Sequence, residues 1–488
     1  ILHLIYMVNF RIIARVLSPV LIVEGLFMLL CSGISVLLKD GSASAFLYSA
    51  IITTVTGIIS LTPLHTDEKV YGNREGYIIV TATWIIFSFF GTLPFLFSGS
   101  INNFTDAFFE SMSGFTTTGA TILTEIESLP QVILLWRSLT QWIGGIGIIF
   151  ISLSLFPIVK SVNIQLSATE FSGQLSDRIQ VRFVEAAKRL IMIYILLTAA
   201  EVLLLFIAGM PVFDAVCHSF STLSTGGFST RNFGMTAFPS PVIKIILTLF
   251  MFLAGVNLPI IYFAIKGNFK KITGNNEFVF YSLLCIGFVI LAAFLLILTE
   301  GFKPGKAILE SAFNIISIIT TTGYYSLNFN QWGDIMIVLL FILMFTGGTT
   351  GSTSGGLKII RLLLITINNR KEFQRLIHPN ALIPVRIDEH IITQNNIYYL
   401  LVFITLYFII ICSSAFIISL MGYDLVTSFS TSASMLANIG PGLGEFGPLT
   451  NYSSLPVAGK YFLTGLMLTG RLELLTILMF FSKSFYRH

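Results

Sequence analysis

One frame recurs four times in this chain. A long apolar segment is followed by a short half-apolar segment, a polar loop of threonine, serine or asparagine beside glycine, and a second long apolar segment. The loops read FTTTGAT at 115–121, TLSTGGFS at 222–229, ITTTGYYS at 319–326 and LANIGPG at 436–442. Aligned on the first glycine of each, they place Gly119, Gly226, Gly323 and Gly440 in one column. A repeat of this length constrains the fold before any single motif does. The short segments lie near 104–115, 212–223, 306–319 and 424–436. At about 10–14 residues they fall below the ~20 that a spanning helix needs, and they read as re-entrant. Ten other segments reach spanning length, near 16–38, 44–63, 77–98, 130–157, 190–209, 241–265, 278–299, 332–366, 397–420 and 457–481. Charged residues make up 11% of the chain, against about 25% in soluble domains. That leaves too little polar surface to face water, so the bilayer is the solvent.

The placement of cations fixes the topology. With the N-terminus in the cytoplasm and only the ten long segments crossing, the cytoplasmic side receives most of the 28 Lys and Arg residues. Among them are Arg11, Lys69, Arg74, Lys160, Lys266, Lys270, Lys271, Arg370, Lys371, Arg375, Lys483 and Arg487. Lys39, Arg231, Lys303, Lys306 and Lys460 fall outside or within spans. This satisfies the positive-inside rule. A full crossing by any one short segment would invert every later loop and destroy the bias. Both termini are then cytoplasmic, and the fold class is an all-α polytopic membrane protein. The polar gaps near 158–189 and 366–396 read as interfacial helices and linkers. The opening ILHLIYMVNF lacks a secretory leader pattern and reads as a tag remnant or a trimmed start.

Irregular backbone at membrane depth is tolerated only where protein buries it or a water-filled cavity meets it. Four loops meeting on one axis satisfy that condition, and their carbonyl oxygens can replace an ion's hydration shell. Glycine reaches positive φ without a Cβ clash. Each short helix would aim its partially negative C-terminal end at the axis, which favours a cation. The candidate coordinating groups, mainly backbone carbonyls, are Thr116, Thr117, Thr118 and Gly119; Leu223, Ser224, Thr225 and Gly226; Thr320, Thr321, Thr322 and Gly323; and Ala437, Asn438, Ile439 and Gly440.

These loops, with QWIGGIGI at 141–148, FTGGTTGSTSGGLK at 345–358 and MLTGRLELLT at 467–476, resemble the Trk/Ktr/HKT superfamily of potassium transport proteins. The likeness runs over nearly the whole chain and points to the TrkH-type pore subunits. It implies ten transmembrane helices: an N-terminal pair in 1–70, then four M1–P–M2 units around one pore, at 71–165, 166–272, 273–378 and 379–488. In the family, a glycine in the first loop goes with potassium and a serine with sodium; Gly119 therefore implies potassium, with rubidium and some sodium permeation. The resemblance makes 345–358 an intramembrane gating loop. Gly347, Gly348, Gly351, Gly355 and Gly356 would lend it mobility, Thr350 belongs to it, and Thr349, Ser352, Thr353 and Ser354 would meet cavity water. Arg471 would stand below the filter as a barrier or hold this loop. Asn438 would brace the filter from behind, and Glu201 reads as structural. The likeness further implies a homodimer in a bacterial inner membrane. A cytoplasmic TrkA-type regulator would carry the ATP/ADP or NAD site, since this chain shows no cofactor site. A sodium- or proton-coupled alternating-access symporter, Ktr-like, is the competing function.

Other signals carry nothing. GLGEFG at 442–447 matches G-x-G-x-x-G but follows no strand, so it is not a dinucleotide site. No nucleophile–base pair, metal-ligand spacing or nucleic-acid motif appears, so the chain does not read as an enzyme. The four cysteines read as small buried hydrophobes.

Overall fold

The computed structural model describes residues 10–61, 73–164, 175–381, 383–388, 390–482 and 485. Lys69, Lys483 and Arg487, counted above toward the cytoplasmic charge, lie outside them.

The molecule is a helical array whose apolar faces point outward. Helix Asn276–Glu300 is typical. The Asn275 side chain accepts the Phe278 N–H at 2.8 Å and starts it, and left-handed Gly301 (φ 64°) stops it. Leu283, Ile290, Phe294 and Leu298 are each more than half exposed along one side, while Tyr281, Cys285, Ala292 and Leu296 are buried on the other. Apolar exposure on this scale would be a liability in water and is the expected surface in lipid. Among the described residues six helices are long and apolar enough to cross a membrane, or up to eight if each of two bent helix pairs counts as one span.

The short segments all fold as helices: Phe104–Phe115, Val212–Leu223, Pro304–Ile319 and Leu425–Ala437. Sequence chemistry marks two of their starts. Asn103 accepts the Thr105 N–H at 3.0 Å, and Pro304 occupies a first-turn position where its missing N–H costs nothing. The last helix, LVTSFSTSASMLA, is poor helix-forming sequence and is held by its surroundings.

Each short helix packs on the long helix before it and the one after it. Phe104–Phe115 touches Asn73–Phe90 and Gln131–Ile164, and also Val457–Arg471 from the far end of the chain. Val212–Leu223 likewise touches Gln131–Ile164, and Pro304–Ile319 touches Pro241–Ala254. The first unit thus touches the second and the fourth, and the second touches the third; Gly323 against the Ile439 oxygen joins the third to the fourth and closes the circle. Two seams carry largely buried ion pairs, Lys460 to Asp106 at 2.6 Å and Lys244 to Glu310 at 2.7 Å.

Three segments read as single spans are not straight. In 241–265, Pro241–Ala254 and Leu258–Ile265 meet at a bend of 112°. Pro259, in the first turn of the second helix, cannot continue the hydrogen-bond ladder of the first. In 457–481 the bend is 111°, made by Glu473 (φ 54°) and Leu474 (φ 37°). The segment 332–366 is broken where its glycines crowd: helix Gly333–Leu343 ends, and Ile359–Ile377 begins after an irregular loop. That second helix and an antiparallel ribbon, Val385–Ile387 against His390–Ile392, occupy most of the gap expected to hold interfacial helix and linker. The ribbon is the one departure from an all-α chain among the described residues.

A ring of four loops above an intramembrane plug

All four short helices end in the same backbone motif. The N–H groups of Thr117, Thr225, Thr321 and Asn438 bond back to the carbonyls of Gly114, Thr222, Ile318 and Met435. The next N–H groups, of Thr118, Gly226, Thr322 and Ile439, reach Ser113, Ser221, Ser317 and Ser434 at 2.8–2.9 Å. This is the Schellman arrangement, which satisfies carbonyls that a helix end would otherwise leave unpaired. Its left-handed position normally holds glycine. Here it holds Thr117 (φ 51°), Thr225 (φ 54°), Thr321 (φ 59°) and Asn438 (φ 57°), at about 1–2 kcal/mol each. Some of these side chains have work that glycine could not do. Thr321 Oγ1 accepts the Gly355 N–H at 2.7 Å. Asn438 Nδ2 donates to Thr118 Oγ1 at 2.9 Å and to the Met467 carbonyl at 2.8 Å.

Two residues further on, Gly119, Gly227, Gly323 and Gly440 all have φ between 78° and 102°. The second loop is therefore shifted by one from the sequence alignment. Gly227 is the equivalent of Gly119; Gly226 stands at the level of Thr118, and Leu223 falls outside the matched four, inside its helix. The corrected quartet is Ser224, Thr225, Gly226 and Gly227.

These glycines close a ring. A Cβ on Gly119 would lie 2.1 Å from the Gly226 oxygen, one on Gly227 2.1 Å from the Thr322 oxygen, one on Gly323 1.9 Å from the Ile439 oxygen, and one on Gly440 2.5 Å from the Thr118 oxygen. Each loop thus sets its glycine against the carbonyl that precedes the glycine of the next. One carbonyl oxygen of each loop lies against the glycine of a neighbouring loop, with no room there for a side chain. Such oxygens can hold a dehydrated cation; no carboxylate, His or Cys cluster that could do so exists among the described residues. The symmetry is approximate: the Gly226 oxygen also accepts Gln141 Nε2 at 2.6 Å, and Gln141 Oε1 takes the Phe228 N–H at 3.1 Å. On one side of the ring a cavity of about 250 Å³ is lined by Gly119, Gly227, Gly323, Tyr324 and Pro441. Arg137, buried and 2.8 Å from Glu110, stacks on Phe228 in its wall.

On the other side the irregular loop fills the axis. Thr353 Oγ1 donates to the Leu223 carbonyl at 2.9 Å, and a Cβ on Gly355 would strike the Ala437 oxygen at 2.2 Å. The Thr349 N–H reaches the Gly255 carbonyl at 2.9 Å, and Thr350 N–H reaches Glu277 Oε1 at 2.6 Å. The Gly347 N–H meets the Leu357 carbonyl, and the Gly348 N–H meets Ser354 Oγ. Gly351 and Gly356 turn the chain at φ 81° and 65°. Thr349, Ser352, Thr353 and Ser354 are buried and spend their hydroxyls on protein partners. The expectation that they meet cavity water is not met in this conformation. Arg471, 2% exposed, joins this plug to the opposite wall: Nη1 donates to the Thr353 carbonyl at 2.9 Å and Nη2 to the Gly144 carbonyl at 3.0 Å. Glu473 faces away from it and pairs with Arg361 at 2.6 Å. Glu201 is fully buried, with no hydrogen-bond partner on either oxygen among the described residues.

Fold and ring together define a polytopic α-helical transport protein. The chain belongs to the TrkH family of cation transport proteins, whose family model matches residues 42–486; this is a transport family, not an enzyme family. It is 35% identical to the Trk system potassium uptake protein TrkH of Salmonella typhimurium, over 98% of this chain and 100% of that one. It is 32% identical to the TrkI protein of Halomonas elongata, over 97% and 96%. The crystal structure of the potassium transporter TrkH from Vibrio parahaemolyticus superposes with a TM-score of 0.89 at 32% identity, covering 98% of this chain and all of that one.

Proposed function

We propose that this chain is the pore-forming subunit of a bacterial potassium uptake system, passing potassium down one axis per chain through the four-loop ring. The observation that carries this reading is the closed circle of glycines against carbonyls. Backbone oxygens suit a weakly hydrated monovalent cation, and the relatives named above are potassium uptake proteins. In this reading ten segments cross the inner membrane, with the four units bounded near 71–165, 166–272, 273–378 and 379–488 and both termini cytoplasmic. The plug at 345–358, with Arg471, is the gate, and the conformation described is closed. A homodimer and a cytoplasmic nucleotide-binding regulator of the TrkA type complete the system; the regulator carries the ATP/ADP or NAD site.

The test is uptake of radioactive rubidium into proteoliposomes holding the purified chain, with and without its regulator. Uptake above empty vesicles supports the reading, and none in any regulator state overturns it. Two bent helix pairs and an interrupted span also suit an alternating-access symporter coupled to sodium or protons. Single-channel current steps would eliminate that alternative.

A further inference from the structure

The turn after the 112° bend carries a cationic cluster that the ring and plug do not use. Helix Leu258–Ile265 runs into Gly267 (φ 71°) and then into the short helix Phe269–Thr273. Lys266, Lys270 and Lys271 lie in this turn, all exposed. Among the described residues none of them has a carboxylate partner. The Lys266 ammonium stacks over the Tyr262 ring at 4.7 Å and the Lys271 ammonium over the Phe263 ring at 4.3 Å. Arg189, from helix Leu175–Ile207, also acts on the Tyr262 side chain. Its own acid, Glu185, is a loose and exposed partner at 3.6 Å. The other acids near the turn are engaged: Asp388 takes the Asn276 N–H at 3.0 Å and Glu277 holds Thr350.

The turn thus presents lysine ammoniums held over aromatic ring faces rather than neutralised by acids. The apolar side chains beside it are also turned outward: Ile265 is 63% and Phe269 66% exposed. Cations with bare aromatic and aliphatic groups are the composition of a segment lying at a membrane surface. The location agrees, because this turn precedes the first residue of a 25-residue spanning helix. A soluble anion would account for the lysines but not for the exposed Ile265 and Phe269. We propose that this turn binds the headgroup of an anionic phospholipid from the cytoplasmic leaflet, with Lys266, Lys270, Lys271, Arg189 and the Tyr262 hydroxyl around the phosphate and Phe269 among the acyl chains.

Native mass spectrometry of the full chain, equilibrated with equal phosphatidylglycerol and phosphatidylcholine, reads this without any transport assay. The unaltered protein should retain phosphatidylglycerol preferentially. Each lysine near an anionic headgroup contributes about fivefold in binding. The triple variant Lys266→Gln, Lys270→Gln, Lys271→Gln should therefore lower the phosphatidylglycerol to phosphatidylcholine ratio by more than about tenfold. The control is the double variant Lys303→Gln, Lys306→Gln at the other end of the same spanning helix, where Lys306 stacks on Phe302 at 4.4 Å; it should leave the ratio unchanged. If the triple variant aggregates, Lys270→Gln alone should lower the ratio by about fivefold. No preference in the unaltered protein, or a ratio that survives the lysine substitutions, overturns the proposal. So does loss of binding to an acidic soluble protein with lipid preference intact, which would assign the turn to a protein contact.

Discussion

Gly227 and Gly226 are chemically identical neighbours with different backbone duties. Gly227 has φ 78° and faces the Thr322 carbonyl, a backbone atom that cannot step aside, whereas a Cβ on Gly226 meets the Gln141 side-chain amide, which can shift at the cost of its bonds to Gly226 and Phe228. Gly227→Ala should abolish rubidium uptake, and Gly226→Ala should reduce it by less; equal losses would contradict the register described here. Gly119→Ser places a Cβ against the Gly226 oxygen and adds a hydroxyl, and should lower uptake while raising sodium relative to potassium in competition flux. The register was present in the sequence as a shared spacing. Ser113, Ser221, Ser317 and Ser434 each stand four residues before the left-handed residue and six before the ring glycine. Alignment on the first glycine hid it, because the second loop has two in a row. The left-handed threonines had no such signal, since local propensity argues for glycine there and only the tertiary partners of Thr321 and Asn438 account for the exception.

At the scale of elements, the short helices were legible to within two residues, because a half-length apolar run before a polar loop has few alternatives in a bilayer. The 111° bend was not: Glu473 and Leu474 carry no turn signal, yet their N–H groups cap the helix by bonding back to the Gly470 and Thr469 carbonyls. The plug was legible as a glycine-rich break, but not its seating, which depends on distant carbonyls at Leu223, Gly255 and Ala437. Arg471→Met removes the bridge that ties the plug at Thr353 to the wall at Gly144 and should raise rubidium uptake in the absence of the regulator; unchanged uptake would reduce Arg471 to a brace. Lys244→Met strands the Glu310 carboxylate in a buried seam. It should destabilise the protein by about 3–5 kcal/mol, read as a lower thermal midpoint, and adding Glu310→Gln should recover most of the loss. Between the first two helices, Asp40 accepts the Val132 N–H at 2.8 Å and the Ser42 N–H at 3.1 Å. Partial burial pushes its carboxyl upward, but bonds from Ser35, Val132 and Ser42 outweigh this and hold it below the usual range. A carboxylate lowered on folding adds stability above its unfolded value, about pH 4, and loses it as pH falls through the lower folded value. The gap in thermal midpoint between the unaltered protein and Asp40→Asn should therefore shrink as pH drops from 7 toward 3.

For the whole molecule, the fourfold frame was the part most open to reading, because repeats report topology without any knowledge of contacts. The order of closure was not readable. Only the structure sets Val457–Arg471 against Phe104–Phe115, and only that contact turns a row of four units into a circle. Circularity separates a closed ring from four independent turns: it sets the Thr118, Gly226, Thr322 and Ile439 carbonyls each against the glycine of a neighbouring loop. It also makes the ring a cooperative object, so that a clash at one glycine disturbs the oxygens of its neighbours. The claim that this ring is where the ion binds is tested most directly by anomalous diffraction from crystals grown in rubidium. The account predicts a rubidium peak on the axis among those four carbonyls, weakened by Gly227→Ala. An empty axis, with rubidium found only in the cavity beside Tyr324 or at surface carboxylates, would contradict it.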